Sequence, residues 1–151
     1  MRMKWVTRAG ANVDRIACPW LIKKFVDSLA EFLFVHSDMV KEVAKKEDAI
    51  PFDAVDIELT HYQENGVERV SFDAIVKKYN LKDPALLELA KIVRGADAMV
   101  PHDAPPESAG LKAAAAGFKL LAQDDLDNIR RQFPTYNALY MYCQSKVSAK
   151  V

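Results

Sequence analysis

Cysteine is scarce in this sequence: Cys18 and Cys143 are the only two among 151 residues, and no Cys-x-x-Cys pair is present. A disulfide framework and a thiolate-rich zinc site both need more cysteines than these. Chains with so little cysteine are typical of reducing compartments. We therefore expect a cytoplasmic protein.

Long hydrophobic runs are also absent. The longest apolar stretches are far shorter than the roughly 20 residues that cross a bilayer. The first segment, MRMKWVTRAGANVDR, lacks the apolar stretch of about 7–15 residues that a secretory signal contains. We expect no membrane as a partner of this domain.

Net charge is the third feature that is missing. Lys+Arg and Asp+Glu are balanced at 21 each, and basic residues occur in runs no longer than a pair. A specific nucleic-acid binder normally carries a clustered basic surface. The balance therefore argues against nucleic acid as a partner of this domain alone, and it leaves the formation of a homodimer open.

Enough apolar sequence is present for one ordinary core. Half of the residues are hydrophobic, and the length lies within the roughly 100–200 residues of one domain. We expect a single domain over residues 1–151. Its fold class is predicted to be α+β, with a small mixed β-sheet (a βαβ start plus an Asn-Gly hairpin) packed with about five or six helices.

The first third of the sequence predicts the βαβ start. Strands are expected over 4–7 and 31–35, with a helix between them that begins at Asp14 and continues through Phe25. Proline is best tolerated in the first turn of a helix. One interpretation therefore starts the regular helix at Pro19, which would make Cys18 its N-cap.

An Asn-Gly pair at 65–66 predicts a hairpin between strands over 57–64 and 67–70, because a type I′ turn needs two residues with positive φ. In a regular strand His61 would share a face with Leu59, and Glu58 would take the opposite face. The remaining sequence predicts helices after residues 71, 83, 107 and 124 and a loop over 99–107. Pro134 is expected to kink or divide the last helix.

Several of these segments resemble the chromate-resistance family. They are WVTR at 5–8, DRIACPWLIKKFVD at 14–27, AEFLFV at 30–35, IPFD at 50–53, ELTH at 58–61, SFDA at 71–74, DPALLELAKIVRGAD at 83–97 and YNALYMYC at 136–143. The resemblance covers nearly the whole sequence. It implies a role in chromate resistance, since members usually form the C-terminal domain of a chromate-sensing regulator of an efflux operon.

Two differences from that family limit what the resemblance implies. Regulator members carry an additional N-terminal region, so we expect this sequence to be a stand-alone member without their DNA-binding role. Many members also have a cysteine just before the segment that matches SFDA, where Val70 stands here. This difference weakens the case for thiol-based chromate chemistry.

His61 is the first candidate for a functional residue. Neutral imidazole serves as a metal ligand or a general base near neutral pH, and a half-buried histidine bonded to a backbone carbonyl is the structural alternative. Asp73, Glu58 and Glu31 are the candidate carboxylate ligands; Glu58 could join His61 only if a β-bulge intervenes. One histidine with carboxylates suits a divalent transition metal, such as manganese or iron, better than copper. Zinc remains a third candidate.

Three arginines form a second candidate group: Arg8, Arg15 and Arg94. Guanidinium groups and helix N-termini hold tetrahedral dianions such as chromate, so these residues are candidates for substrate binding. Structural ion pairs are the alternative for each arginine, and pairing of Arg94 with a helix dipole is one of them.

Two functions remain open at this point. The first is a module that binds a small oxyanion such as chromate, with possible assistance from a metal. The second is a small metal-dependent enzyme that acts on an anionic molecule, with His61 and Arg15 as catalytic candidates. Cys18 is a third catalytic candidate, because a thiol at a helix N-cap has a lowered pKa. A buried and inert thiol is the alternative.

Overall fold

The computed structural model describes residues 3–149, and their elements form an α+β fold, as predicted. Five strands are present: β1 (Lys4–Arg8), β2 (Glu31–Val35), β3 (Ala49–Pro51), β4 (Tyr62–Glu64) and β5 (Val67–Arg69). Six α-helices accompany them: α1 (Asp14–Leu21), α2 (Val40–Glu47), α3 (Ser71–Lys78), α4 (Pro84–Asp97), α5 (Glu107–Leu121) and α6 (Asp125–Ala149).

The central sheet is entirely parallel, with strand order β2-β1-β3. β1 lies in the middle, and the side chains of the successive buried residues Trp5 and Val6 point to opposite faces. Trp5 joins the main core, which includes Phe32 and Phe52. Val6 belongs to a second, smaller cluster with Val40. The middle strand therefore separates two apolar layers and is covered on both faces.

The prediction of one mixed sheet was wrong in detail, because the hairpin forms a separate two-stranded sheet of β4 and β5. The third strand of the parallel sheet is instead β3, a segment too short for its pattern to identify. The predicted strand over 57–64 is also wrong in its first half. Residues 53–61 follow an irregular path with positive φ angles at Asp53 and Asp56, so His61 lies just before a strand and not within one.

Helix α1 begins at Asp14 and contains Pro19 in its interior. The interpretation in which the helix starts at Pro19 is therefore wrong, and Cys18 lies inside the helix and not at its N-cap. Proline cannot donate the backbone hydrogen bond of a regular helix. After this point the chain widens into a π-helical turn over Ile22–Val26 before it becomes extended at Asp27.

Helices α4, α5 and α6 pack against one another. α4 and α5 approach closely at Gly95, where an added Cβ would lie 2.3 Å from Ser108 Oγ. Pro134 does not divide α6, which continues from Asp125 to Ala149 as one helix. Across residues 3–149, no helix combines the length and the hydropathy that crossing a bilayer requires.

Candidate functional site

The candidate site lies at the edge of the parallel sheet, where several elements begin or end. Asp14 is the first residue of α1, and Asp97 is the last residue of α4. Asp53 follows β3 by two positions, and His61 immediately precedes β4. Ligands of parallel sheets usually bind in the crevice beyond the carboxyl ends of the strands. The site therefore has a position that favours ligand binding.

The His61 ring is the centre of this site. Its Nε2 atom lies 3.1 Å from an oxygen of Asp97, 3.4 Å from one of Asp14 and 3.5 Å from one of Asp53. Its Nδ1 atom lies 3.5 Å from Glu68 Oε2. The side chains of Asp14 and Asp53 are only 1% and 5% exposed, whereas that of His61 is 33% exposed. One nitrogen thus faces three carboxylates, and solvent can reach the ring.

This crowding of carboxylates shifts the pKa values of the group. Hydrogen bonds to Asp14 and Asp97 raise the pKa of His61 from 6.5 to about 11. Burial, followed by the negative charge of Asp97, raises the pKa of Asp14 from 3.8 to about 7. Neighbouring negative charge raises both pKa values, whereas burial raises the pKa of Asp14 and opposes the rise at His61. A cation at this position relieves that repulsion.

Asp14 is held in place by the helix that it faces. Its two oxygens accept hydrogen bonds from the backbone N–H groups of Ser71 at 2.8 Å and Phe72 at 3.1 Å, at the start of α3. The positive end of a helix dipole favours a carboxylate there. Its own backbone N–H donates to Asp97 Oδ1 at 3.3 Å. Asp14 therefore caps α3 from outside that helix and orients Asp97 at the same time.

Asp53 divides its two carboxylate oxygens between two kinds of partner. Oδ1 accepts a hydrogen bond from Ser71 Oγ at 2.7 Å and is the atom that faces His61. Oδ2 lies 3.4 Å from Arg8 Nη2 and 3.6 Å from Arg15 Nη1. Asp53 thus connects the histidine to the two arginines predicted from the sequence.

Arg15 is the arginine of this pair that has a buried donor without a hydrogen-bond partner in the part of the chain that the structure describes. Arg8 Nε donates to the backbone oxygen of Asp53 at 2.8 Å, and Arg15 Nη2 donates to that of Gly10 at 2.9 Å. Arg15 Nε is buried and has no hydrogen-bond partner among residues 3–149. A buried donor without an acceptor is costly, so an anion or a water molecule at this point would be stabilising.

Three residues of the site have the arrangement of metal ligands. Asp14, Asp53 and His61 each offer one ligand atom, and these atoms lie within 4.8 Å of one another. Ligands held about 2.0–2.2 Å from one ion are separated by roughly 3–3.5 Å. The observed separations of 3.4 and 3.5 Å from His61 Nε2 match that spacing. The donor set of one imidazole and two carboxylates fits a divalent transition metal.

The carboxylates predicted as partners of His61 are not part of this three-residue group. Asp73 forms a two-pronged ion pair with Arg94, at 3.0 and 2.9 Å, and also accepts from the backbone N–H of Val70. Glu58 lies 2.7 Å from Lys78 Nζ, with 68% of its side chain exposed. Glu31 begins β2, opposite Lys4 in the strand register.

Arg94 lies apart from the other two arginines that were predicted to bind an anion. Its guanidinium is occupied by Asp73, whereas Arg8 and Arg15 both face Asp53. The structure therefore brings together two of the three residues that were candidates for anion binding.

Cys18 lies beside the site but is shielded from solvent. Its side chain is fully buried, and its Sγ atom donates to Asp14 Oδ1 at 3.4 Å. Burial, together with the negative charge of Asp14, raises the pKa of the Cys18 thiol well above its ordinary value. Such an environment favours the neutral thiol and not the reactive thiolate.

Sequence reasoning missed the three aspartates that contact His61. No fixed local spacing connects them, since they come from separate elements. A signal was nevertheless available, because each lies in a segment that carries the family resemblance: Asp14 in DRIACPWLI, Asp53 in IPFD and Asp97 in IVRGAD. The carboxylates in those motifs would have been better candidates than those near His61 in sequence.

The fold and the site together define a small α+β domain with a histidine–carboxylate centre at the edge of a parallel sheet. A family model described as "ChrB, C-terminal domain" matches residues 5–143. The chain therefore belongs to the ChrB C-terminal domain family, and the resemblance to the chromate-resistance family is confirmed. Membership of this family supports a function related to chromate resistance.

A curated relative has the same family name. The chain is 33% identical over 124 residues to Protein ChrB of Cupriavidus metallidurans. The match covers 81% of this chain but 35% of that protein, so the chain spans about a third of the length of the relative. No solved structure matches the chain.

Proposed function

We propose that this domain holds a divalent transition-metal ion (manganese, iron or zinc) with Asp14, Asp53 and His61. At that ion it would bind a small oxyanion such as chromate, as part of a chromate-resistance function. The observation that carries the proposal is the position of His61 Nε2, which lies 3.4 and 3.5 Å from oxygens of the two buried aspartates.

The charge of the site supports a metal ion over a bare oxyanion as the first ligand. Four carboxylates surround His61, whereas two arginines face Asp53 from one side. A dianion alone would be repelled by such a group. A divalent cation would neutralise it, and the binding of a metal to protein ligands commonly displaces a proton.

The oxyanion would then be held from two sides. Three protein ligands leave coordination positions on a metal open for an exogenous oxygen ligand. Arg15 has a buried Nε donor without a partner among residues 3–149, and Arg8 lies beside it on Asp53. Guanidinium donors of this kind are suited to tetrahedral oxyanions.

Metal content tests the first half of the proposal. The domain, purified without a polyhistidine tag, is expected to bind manganese, iron(II) or zinc in a stoichiometric amount, as measured by elemental analysis after dialysis. His61→Ala is expected to abolish that binding. His102→Ala is the matched control, because the side chain of His102 is 64% exposed and contacts only Asp103 among the ion pairs of the described residues. Retention of metal by His61→Ala would contradict the proposal.

Thermal unfolding tests the second half. Chromate and sulfate are expected to raise the Tm of the metal-loaded domain, and the increase should be lost in Arg15→Gln. Arg130→Gln serves as the control, since the side chain of Arg130 is 76% exposed and pairs with Asp127. An equal increase in metal-free protein would show that the oxyanion binds without the metal.

The enzyme alternative is favoured by one further observation. Asp97 lies 3.1 Å from His61 Nε2 but is outside the three-ligand group, so it could accept a proton from a metal-bound water. A metal-dependent enzyme predicts repeated release of product from chromogenic phosphate or sulfate esters, and a strong decrease in Asp97→Asn. Oxyanion binding without turnover in the wild type would favour the binding module.

A further inference from the structure

The loop over residues 98–106, between α4 and α5, is held by a contact that the proposed function does not use. Two of its apolar side chains, Met99 and Val100, are 89% and 76% exposed, so apolar burial cannot fix their position. Their backbone N–H groups instead donate to the carboxylate of Glu68, at 3.0 and 3.1 Å. One glutamate on β5 therefore anchors two consecutive loop residues.

The same glutamate also contacts the candidate metal ligand. Glu68 Oε2 lies 3.5 Å from His61 Nδ1, and it is also the oxygen that accepts from Met99 N. The side chain of Glu68 is 15% exposed, although the loop residues that it holds are exposed to solvent. A single carboxylate oxygen thus lies between the histidine ring and the loop backbone.

We propose that Glu68 is a positioning residue that couples occupancy of the His61 site to the order of the loop over 98–106. The proposal rests on the proposed metal function, since His61 would bind the ion through Nε2. A metal-bound histidine commonly donates its other ring N–H to a carboxylate, which fixes the orientation of the ring. Glu68 lies 3.5 Å from Nδ1, where such a carboxylate would stand, so a movement of the ring would act on the oxygen that holds Met99.

The loop also adjoins the candidate site. It starts directly after Asp97, whose carboxylate contacts His61. Met99 also forms one wall of a cavity of about 320 Å³, and Asp97, Val13 and Lys112 line the same cavity. When the loop is ordered, this wall is in place beside the site. Release of the loop would remove this wall.

Amide hydrogen exchange over 98–106, combined with zinc and manganese titrations, tests the coupling. In the wild type, metal is expected to slow exchange at Met99 and Val100. Glu68→Ala is expected to speed exchange there at least about tenfold, to remove its dependence on metal, and to weaken metal binding about 10–100-fold. Glu68→Gln should give intermediate values, because its amide oxygen still accepts hydrogen bonds.

Two variants separate coupling from general damage to the hairpin. Glu64 lies on the neighbouring strand β4, and Glu64→Ala removes a surface ion pair with Lys77 of α3. This variant should change neither loop exchange nor metal affinity. Val100→Pro removes one N–H donor of the loop and leaves Glu68 and His61 intact. Because coupling between two sites is reciprocal, Val100→Pro should also weaken metal binding. Unchanged metal affinity in Val100→Pro would overturn the proposal.

Metal-free protein distinguishes a failure of this proposal from a failure of the proposed function. If the wild type binds no metal, the metal function fails, but His61→Ala still tests the link between ring and loop. Faster exchange at Met99 and Val100 in metal-free His61→Ala, as in Glu68→Ala, would support the coupling. Unchanged exchange in both variants would overturn it.

Discussion

Two buried aspartates in this molecule have opposite surroundings. Asp127, in the first turn of α6, accepts a hydrogen bond from the backbone N–H of Gln123 and pairs with Arg130 and Arg131. These donors lower its pKa far below the usual range. Asp14 faces other carboxylates, and burial together with Asp97 raises its pKa to about 7. The negative charge of an aspartate is therefore balanced by cations at Asp127, and it is balanced only in part at Asp14.

The difference between these two aspartates indicates which region of the fold is arranged at a cost in stability. In the helical region, Asp127 pairs with two arginines, and Asp73 pairs with Arg94. At the edge of the sheet, several carboxylates share one imidazole and two guanidinium groups. Strongly perturbed groups concentrate at functional sites, because the chemistry of a site needs charges that folding alone would avoid. The comparison therefore favours the edge of the sheet as the ligand site.

Gly95→Ala should produce the largest loss of stability and should test whether the helical region depends on close packing. The new Cβ would lie 2.8 Å from Ala104 Cβ and 2.3 Å from Ser108 Oγ. We expect a decrease of about 1–3 kcal/mol in the free energy of unfolding, measured in urea, with metal affinity unchanged. Gly110→Ala is the control, since its Cβ would meet nothing within 4 Å and should not destabilise. Equal effects of the two variants would contradict this explanation.

His61→Ala should give a smaller loss, whose dependence on pH is characteristic of the site. The pKa of His61 is raised from 6.5 to about 11, so its contribution is lost as the pH rises through about 11. We expect metal-free His61→Ala to be roughly 1 kcal/mol less stable than the wild type near pH 7, because solvent screens a partly exposed pair. The difference should shrink toward pH 11. A difference independent of pH would show that the carboxylates do not hold the imidazolium.

Asp127→Asn should be milder and should show the opposite dependence on pH. Its lowered pKa means that the stabilisation is present above the unfolded value of about 3.8 and is lost as the pH falls through the folded pKa. The variant is expected to be less stable than the wild type at pH 7 and nearer to it at pH 3. Urea unfolding at both pH values measures the difference. A constant difference would show that the negative charge of Asp127 does not supply the stabilisation.

The sequence predicted the strands and helices well wherever they had a regular pattern. β1, β2 and the Asn-Gly hairpin were expected, as was an α+β fold with about five or six helices. The failures came from tertiary context. β3 is too short to show a pattern, and Pro19 is accommodated inside α1, although proline usually disrupts a helix interior. The irregular path through Asp53 and Asp56, both with positive φ, could not be read from alternation of apolar residues.

The site was only partly predictable, and the reason is geometric. His61, Arg8 and Arg15 were selected by residue type, and the structure brings all three to Asp53. Asp73 and Glu58 were selected by closeness in sequence to His61, and Glu31 was selected as the head of a buried strand. The three aspartates that lie beside the ring come from other elements. Asp14 reaches it because its carboxylate caps α3, which is a long-range contact that no local pattern encodes.

Alkylation of Cys18 should give the smallest effect, because almost no modification of the native domain is expected. It tests the concentration of negative charge around Asp14. The thiol is fully buried, and burial and Asp14 raise its pKa well above the ordinary value. We expect iodoacetamide at pH 8 to leave Cys18 unmodified in the native domain and to modify it completely in urea, as measured by peptide mapping. The thiolate is the reacting form, so rapid native modification would mean that negative charge is less concentrated around Asp14 than the geometry indicates. It would also restore Cys18 as a candidate for chemistry at the site.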